Sequence, residues 1–253
     1  MRFAVLGSGS RGNGLVIEAG GTCLLVDCGF SVQELGRRLA QVGRCLGDLS
    51  AVLVTHEHGD HVQGVAALAR QRGLPVWLTA GTARHKGLAD VPDRRLFHCH
   101  QDFAIGDLQI QPFPVPHDAA EPGQCVFGDG RVRLGLLTDC GSVTPHVEQC
   151  LDGVDALVLE CNYEPVLLEG GDYPPALKRR VGGSYGHLSN AQAAALLGRI
   201  DTSCLQHVLA AHLSEKNNTP GLARAALADA LGAMPGDVAV ATQDQVLPWR
   251  EIT

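Results

Sequence analysis

Three histidines and an aspartate fall within six residues in the run Thr55-His56-Glu57-His58-Gly59-Asp60-His61. Imidazole nitrogens and carboxylate oxygens are ligands for zinc and other borderline metals, so the chemistry such a cluster offers is that of a metal centre. An extended backbone sends alternate side chains to one face, which sets His56 beside His58. Asp60 and His61 come after a glycine, where the chain turns towards a helix. Four donors with two geometries imply two ions, and a second ion needs ligands from further along the chain. His117, Asp139 and His212 are candidates: each closes an apolar run (Pro112-Phe113-Pro114-Val115, Leu134-Gly135-Leu136-Leu137, Val208-Leu209-Ala210-Ala211) and opens a loop, where functional side chains concentrate. Taken singly each of the three is readable as an ordinary loop residue, whereas the H-x-H-x-D-H run behind an apolar strand outweighs the alternative of a solvated polar loop; as a set they complete two sites.

The elements that must position these residues follow from the pattern around them. The chain has 253 residues, 45% of them hydrophobic and 4% aromatic, enough to bury a sizeable core. No apolar run approaches the length of roughly 18 residues needed to span a membrane, and the N-terminus turns glycine-rich after four apolar residues, unlike a signal peptide. Nine cysteines, odd in number and without a C-x-x-C pair, read as reduced thiols of a cytoplasmic protein. A net charge of −7 argues against a nonspecific nucleic-acid coat.

Strands are expected at 3–6, 15–19, 23–27, 49–55, 76–79, 96–99, 108–115, 125–127, 132–137, 156–159, 204–210 and 238–241. Helices are expected at 32–42, 62–72, 143–151, 191–199 and 222–231. Strands in both halves with helices interspersed fit an α/β (α+β) architecture of two packed sheets covered by helices better than one doubly wound sheet. No linker or composition break divides the chain, so residues 1–253 read as one domain. Gly7-x-Gly9-x-x-Gly12, with Asp27 20 residues beyond Gly7, has dinucleotide-binding spacing but precedes a second strand where a helix is required. It reads as a glycine-rich turn.

The H-x-H-x-D-H motif, with His117, Asp139 and His212 at their positions, resembles the metallo-β-lactamase superfamily. That resemblance implies a four-layer αβ/βα sandwich with a dinuclear centre at one edge: His56, His58 and His117 on one ion, Asp60, His61 and His212 on the other, Asp139 bridging. Secreted β-lactamases of the superfamily usually carry Cys in place of the bridging Asp. The segments Leu159-Glu160-Cys161-Asn162-Tyr163-Glu164, Gly182-Gly183-Ser184-Tyr185-Gly186-His187-Leu188-Ser189-Asn190 and Ala211-His212-Leu213-Ser214-Glu215-Lys216-Asn217-Asn218, with the N-terminal Gly-Ser-Gly-Ser-x-Gly-Asn, resemble the YycJ (WalJ, VicX) family. What that implies is a cytoplasmic DNA-directed exonuclease. The same order of elements is similar to ribonuclease Z, in which a Glu–His pair handles the leaving-group proton; transferred here, the pair is Glu160 and His187. The chain has neither a long exosite arm nor an inserted β-CASP domain.

Physical chemistry points the same way. Two divalent ions about 3.5–4 Å apart bind a phosphate's non-bridging oxygens, and a metal-bound water falls to a pKa of about 7, supplying hydroxide. The ions are expected to be Zn²⁺, with Mn²⁺ or Fe accepted by the same donors. Asp60 can orient the nucleophile while serving as a ligand, and His187 as imidazolium, steered by Glu160, can protonate the leaving oxygen. The plainer alternatives are a histidine capping the helix at Asn190 and a carboxylate ending a strand. Ser8, Ser10 and Asn13 in the glycine-rich turn, and Lys216, Asn217 and Asn218 after His212, are candidate substrate contacts; the last three could instead cap the helix beyond Pro220. Lys178-Arg179-Arg180 could guide a nucleic-acid backbone.

The expected activity is a metal-dependent phosphodiesterase, a DNA exonuclease acting on single-stranded or nicked DNA with no membrane partner. The alternatives are a small-molecule phosphodiester, thioester or lactone hydrolase, and a low-turnover metal-binding accessory protein of a signalling pathway. Two divalent ions would offset four of the seven net negative charges, so an acidic chain remains compatible with a polyanionic substrate.

Overall fold

Short apolar runs punctuated by glycine build most of the chain into strands, and the computed structural model describes all residues 1–253. The first half opens with an antiparallel meander, β1 (Arg2–Gly7), β2 (Gly14–Ala19) and β3 (Thr22–Val26). Helix α1 (Val32–Gln41) follows, started by Ser31, whose side chain accepts from the Glu34 N–H, a standard N-cap. Strand β4 (Ala51–Leu53), the one-turn helix α2 (Gly59–Val62), helix α3 (Val65–Arg72), β5 (Val76–Thr79) and β6 (Arg94–Phe97) complete this half, with β3 to β6 parallel.

The second half repeats the plan. Antiparallel β7 (Phe103–Ile105), β8 (Leu108–Pro114), β9 (Gly123–Gly128) and β10 (Arg133–Leu137) lead into parallel β11 (Ala156–Glu160), β12 (His207–Ala211) and β13 (Ala239–Val240). Helices α4 (Pro145–Leu151), α5 (Pro165–Gly170), α6 (Pro175–Val181), α7 (Asn190–Leu197) and α8 (Pro220–Leu231) lie between them. Strand β14 (Leu247–Glu251) returns to pair with β1. The strand orders are β14-β1-β2-β3-β4-β5-β6 and β13-β12-β11-β10-β9-β8-β7.

Period-two alternation decides which layer each side chain enters. On β3, Leu24 and Val26 face the core between the sheets, where they meet Ile110, Phe127 and Leu134; Cys23 and Leu25 face the helix layer of Leu35, Leu39 and Leu68. On the other sheet, Leu137, Leu157 and Val208 pack under Val147, Leu196 and Leu227. The result is four layers, helix–sheet–sheet–helix, as expected from the pattern.

The departures have local causes. The strand expected to reach Thr55 stops at Leu53, because the following residues leave the sheet for the histidine turn. The helix expected at 62–72 begins at Gly59 and breaks at Gly64: a Cβ there would lie 2.1 Å from the Phe30 carbonyl oxygen, so the chain passes too close for any side chain. Strand β14 contains Pro248 and survives as a sheet edge, where a missing N–H is tolerated. Helices α5 and α6 each carry proline in the first turn, a favourable helix start in segments too short for periodicity to reveal.

Candidate metal centre

The carboxyl ends of β3, β4, β8, β10, β11 and β12 converge on one edge of the sandwich, the usual place for a site in sheets of this kind. Three non-glycine residues have left-handed backbone, Asp27 (φ 60), Asp139 (φ 53) and His212 (φ 54), and all three sit where one of these strands breaks off. Such conformations cost about 1–3 kcal/mol and persist where surrounding structure enforces them, typically at functional sites. Each bend redirects an acid or imidazole that would otherwise continue along the strand.

The structure brings all seven candidate ligands together. His56, His58 and His117 form one group and Asp60, His61 and His212 a second; within each, ligand atoms lie within 4.8 Å of one another. Asp139 stands between them: its Oδ1 is 3.7 Å from His117 Nε2 and 3.5 Å from His212 Nε2, and its Oδ2 3.3 Å from His61 Nε2.

Every histidine of the cluster has one ring nitrogen tied to protein and the other turned inward. His61 Nδ1 donates to Asp27 Oδ2 at 2.8 Å, His117 Nδ1 to the Gly186 carbonyl at 3.0 Å, and His212 Nδ1 faces Glu160 Oε1 at 3.3 Å. His58 Nε2 donates to the Asp118 carbonyl at 3.2 Å. Because the Thr55 hydroxyl donates to Asp27, the 3.1 Å contact from His56 Nδ1 to Thr55 Oγ1 places the imidazole hydrogen on Nδ1. Second partners of this kind set the tautomer of a metal-ligating histidine. His56 Nε2 and Asp139 Oδ2 are buried without any hydrogen-bond partner, although buried polar atoms are normally paired. Two orphaned donors at the middle of a histidine–aspartate cluster fit divalent cations.

The charges fit as well. Asp139 and Glu160 are buried carboxylates whose charged neighbours are imidazoles. Burial opposes charge on His212, yet Asp139, Asp60 and Glu160 outweigh it and push this imidazole up to about 10. The same surroundings hold the Asp139 carboxyl well below its usual range against its burial, chiefly through His212 and His61. Burial, together with His61, keeps His56 well below the ordinary imidazole value, hence neutral and able to ligate.

Glu160 ends β11 fully buried and, besides facing His212, serves three further partners. Its Oε1 accepts from His187 Nδ1 at 2.8 Å, and its Oε2 from the backbone N–H groups of Cys140 and Leu188 at 2.9 and 3.1 Å. Burial opposes its ionisation, but His187 prevails and the carboxyl falls to about 2. In return, His187 is raised above the usual imidazole value despite burial, through Glu160 and then Asp139. His187 does not cap α7; Ser189 does, in a capping box with Gln192.

Several substrate-contact assignments need correction. Ser8 and Asn13 are buried behind the ligands: Ser8 Oγ accepts from the His212 N–H at 2.8 Å, and Asn13 Nδ2 donates to Asp60 Oδ2 at 3.1 Å. Asn217 is buried against Ser214, and Asn218 bonds Asn190 and the Cys161 carbonyl; Thr219, not Asn218, caps α8. Their polar atoms serve the scaffold because the turns carrying them fold under the site. Ser10 does line the site cavity of about 230 Å³, with His58, Asp60, Asp118, Asp139, His187 and His212, and Lys216 lies at its rim, its Nζ 5.8 Å from the Tyr173 ring centre. Of the basic triplet, Arg180 reaches the cavity and pairs with Asp118 at 2.5 Å.

Asp27 was missed because the dinucleotide-like spacing drew it into a rejected motif. Its place at a strand end before a bend is the signal that would have found it. Its two oxygens hold the Thr55 N–H, the Thr55 hydroxyl and His61 Nδ1. Asp27→Ala is therefore expected to weaken metal affinity by about 10–100-fold, the usual effect of losing such a partner, with little change in the far-UV spectrum. Competitive titration with a chromophoric chelator checks this, and unchanged affinity would refute the orienting role.

A family profile described as a beta-lactamase superfamily domain matches residues 22–212. The chain is 35% identical over 235 residues to exodeoxyribonuclease YycJ of Bacillus anthracis, covering 91% of this chain and 89% of the relative. It is 32% identical over 236 residues to exodeoxyribonuclease WalJ of Streptococcus pneumoniae, covering 91% and 88%. In fold it is similar to the metallo-beta-lactamase fold protein YhfI of Bacillus subtilis, with TM-score 0.74 at 20% identity over 97% and 98% of the two chains. A histidine–aspartate centre at the strand ends of a four-layer sandwich, matched along nearly the whole chain, makes this protein a member of the metallo-β-lactamase superfamily and, within it, of the YycJ/WalJ family.

Proposed function

We propose that the protein is a dinuclear metal-dependent phosphodiesterase that removes nucleotides from the ends of single-stranded or nicked DNA. The observation that carries this reading is the pairing of two ligand triads around Asp139 with a Glu160–His187 dyad 3.7 Å from the same carboxylate. The relatives named exodeoxyribonucleases, matched over 91% of the chain, support the choice of DNA.

In this reading His56, His58 and His117 hold one ion, Asp60, His61 and His212 the other, with Asp139 shared; Zn²⁺ suits the donors best. Bound there, two divalent ions supply Lewis acidity to phosphate oxygens and lower the pKa of a coordinated water to about 7. The protein's part is positional. Asp60, held by Asn13, fixes the side from which water approaches the phosphorus. Glu160 favours the charged form of His187 and holds its Nδ1, so that Nε2–H is available to the departing oxygen. Nine unpaired cysteines, seven of them buried, accord with a cytoplasmic setting.

Protein purified without chelator is expected to hold two transition ions per chain by mass spectrometry. With Zn²⁺ or Mn²⁺ it is expected to shorten end-labelled single-stranded DNA stepwise, and Asp60→Ala to abolish the activity. No cleavage of DNA, or an Asp60→Ala variant as active as wild type, would sink the nuclease reading. Hydrolysis of bis(p-nitrophenyl) phosphate with DNA left intact would select the small-phosphodiester alternative, which the volume of the cavity also accommodates.

A further inference from the structure

The cavity wall opposite the ligands is α6 and its two flanks. None of the α6 residues is buried, so no protein layer occupies its outer face. Its last turn carries Lys178, Arg179 and Arg180, the one run of three consecutive lysines or arginines in a chain of net charge −7. Tyr173, before the helix, lines the cavity together with Arg180, and Lys216 leans over its ring. Tyr185, after the helix and two residues before His187, is 65% exposed. Among the exposed large apolar side chains it is the one aromatic, in a chain only 4% aromatic. Two tyrosines thus bracket a basic helix at the mouth of a phosphodiester site.

Resting on the nuclease reading, we propose that the segment Tyr173–Tyr185 is a clamp that selects an unstacked DNA end: Tyr173 stacks on the base next to the scissile phosphate and Arg180 exchanges Asp118 for a neighbouring phosphate. Inside a duplex both faces of a base are covered by its neighbours, so an aromatic platform gains a partner only from a single-stranded or frayed terminal base. Base–aromatic stacking tolerates any sequence, as an exonuclease requires, and contributes about 1–3 kcal/mol per base. Lys216 fixes the Tyr173 ring and adds positive charge beside it. Arg180 is spoken for in the free protein, its Nε bonded to Asp118 Oδ2 at 2.5 Å. A phosphate offers the guanidinium a bidentate partner in place of that single bond. Asp118, once released, lies 3.7 Å from His58 Nε2, so its charge keeps a neighbour. Tyr185 provides a second, outer platform.

The test is a cycle of protein variant against substrate. Metal-loaded wild type, Tyr173→Ala, Tyr173→Phe and Arg180→Ala are assayed on a single-stranded 20-mer, and on 20-mers carrying an abasic tetrahydrofuran residue at the 5′ or the 3′ end. Tyr173→Ala is expected to lower kcat/KM on the intact strand by about 5- to 150-fold, the worth of one stack, and Tyr173→Phe to restore it. Removing the base at one end should reproduce that loss in wild type, with the two losses not additive. Arg180→Ala should weaken intact and abasic strands equally and reduce the salt slope of binding by about one. If wild type degrades the strand and Tyr173→Ala retains the full preference for an intact end, the clamp is overturned while the nuclease reading stands. If wild type degrades no strand, the nuclease reading falls and the clamp with it.

Discussion

Replacing His187 with alanine is expected to lower kcat on single-stranded DNA by about 10²–10⁴-fold, the range for losing a positioned proton donor, while two ions per chain remain bound. The reason lies in the division of labour at the centre. The 2.8 Å bond to Glu160 and the nearby Asp139 raise the imidazole above its ordinary value despite its burial, so it holds a proton to higher pH than a free imidazole does. In the proposed mechanism that proton goes to the leaving sugar oxygen, which departs poorly as an alkoxide. A leaving group that needs no proton removes the requirement, so the same variant should lose far less on bis(p-nitrophenyl) phosphate. Equal losses on the two substrates would show that His187 is structural. Glu160→Gln should fall between wild type and His187→Ala on DNA, because the amide retains a hydrogen-bond acceptor for Nδ1 but withdraws the charge that keeps the imidazole protonated.

The second large effect concerns Asp139. Asp139→Ala is expected to leave no more than one ion per chain and no measurable nuclease activity, because one carboxylate faces histidines of both triads. The physical consequence extends to stability. An ion bound at 100 times its dissociation constant stabilises the folded state by about 2.7 kcal/mol, and at roughly 2–4 °C per kcal/mol for a chain of this size that is a shift of about 5–10 °C. Wild type should therefore melt several degrees lower after EDTA treatment, and Asp139→Ala, with at most one ion to lose, should shift by about half as much or less. A chelator shift as large in the variant as in wild type would remove Asp139 from the centre.

Much of this was legible in the sequence. The ligand run His56-x-His58-x-Asp60-His61 is local: its chemistry resides in residue types and its geometry in a strand end, both visible without a fold. His117, Asp139 and His212 announced themselves by ending apolar runs. The layered architecture followed from the alternation of short strands and helices, since a sheet buried on both faces needs apolar residues at nearly every position, as β3 shows. Segments with little periodicity gave no such signal: α5, α6 and β14 are short or interrupted by proline.

The tertiary structure decided the rest, because it concerns residues far apart in sequence whose relation is set only when two sheets close on each other. Ser8 and Asn13 looked like phosphate contacts in a glycine-rich turn, yet that turn folds beneath the ligands, where its polar groups have backbone and carboxylate partners to satisfy. Asp27, assigned to nothing, proves to be the partner of His61, separated from it by 34 residues. Arg180 and Asp118, 62 residues apart, meet only at the cavity mouth. By itself the sequence determined which chemistry this protein carries, since ligand types and strand-end spacing are local properties. Only the closed sandwich determined which nitrogen of each histidine faces inward and which polar residues support the centre or face substrate, since those depend on hydrogen bonds between distant strands.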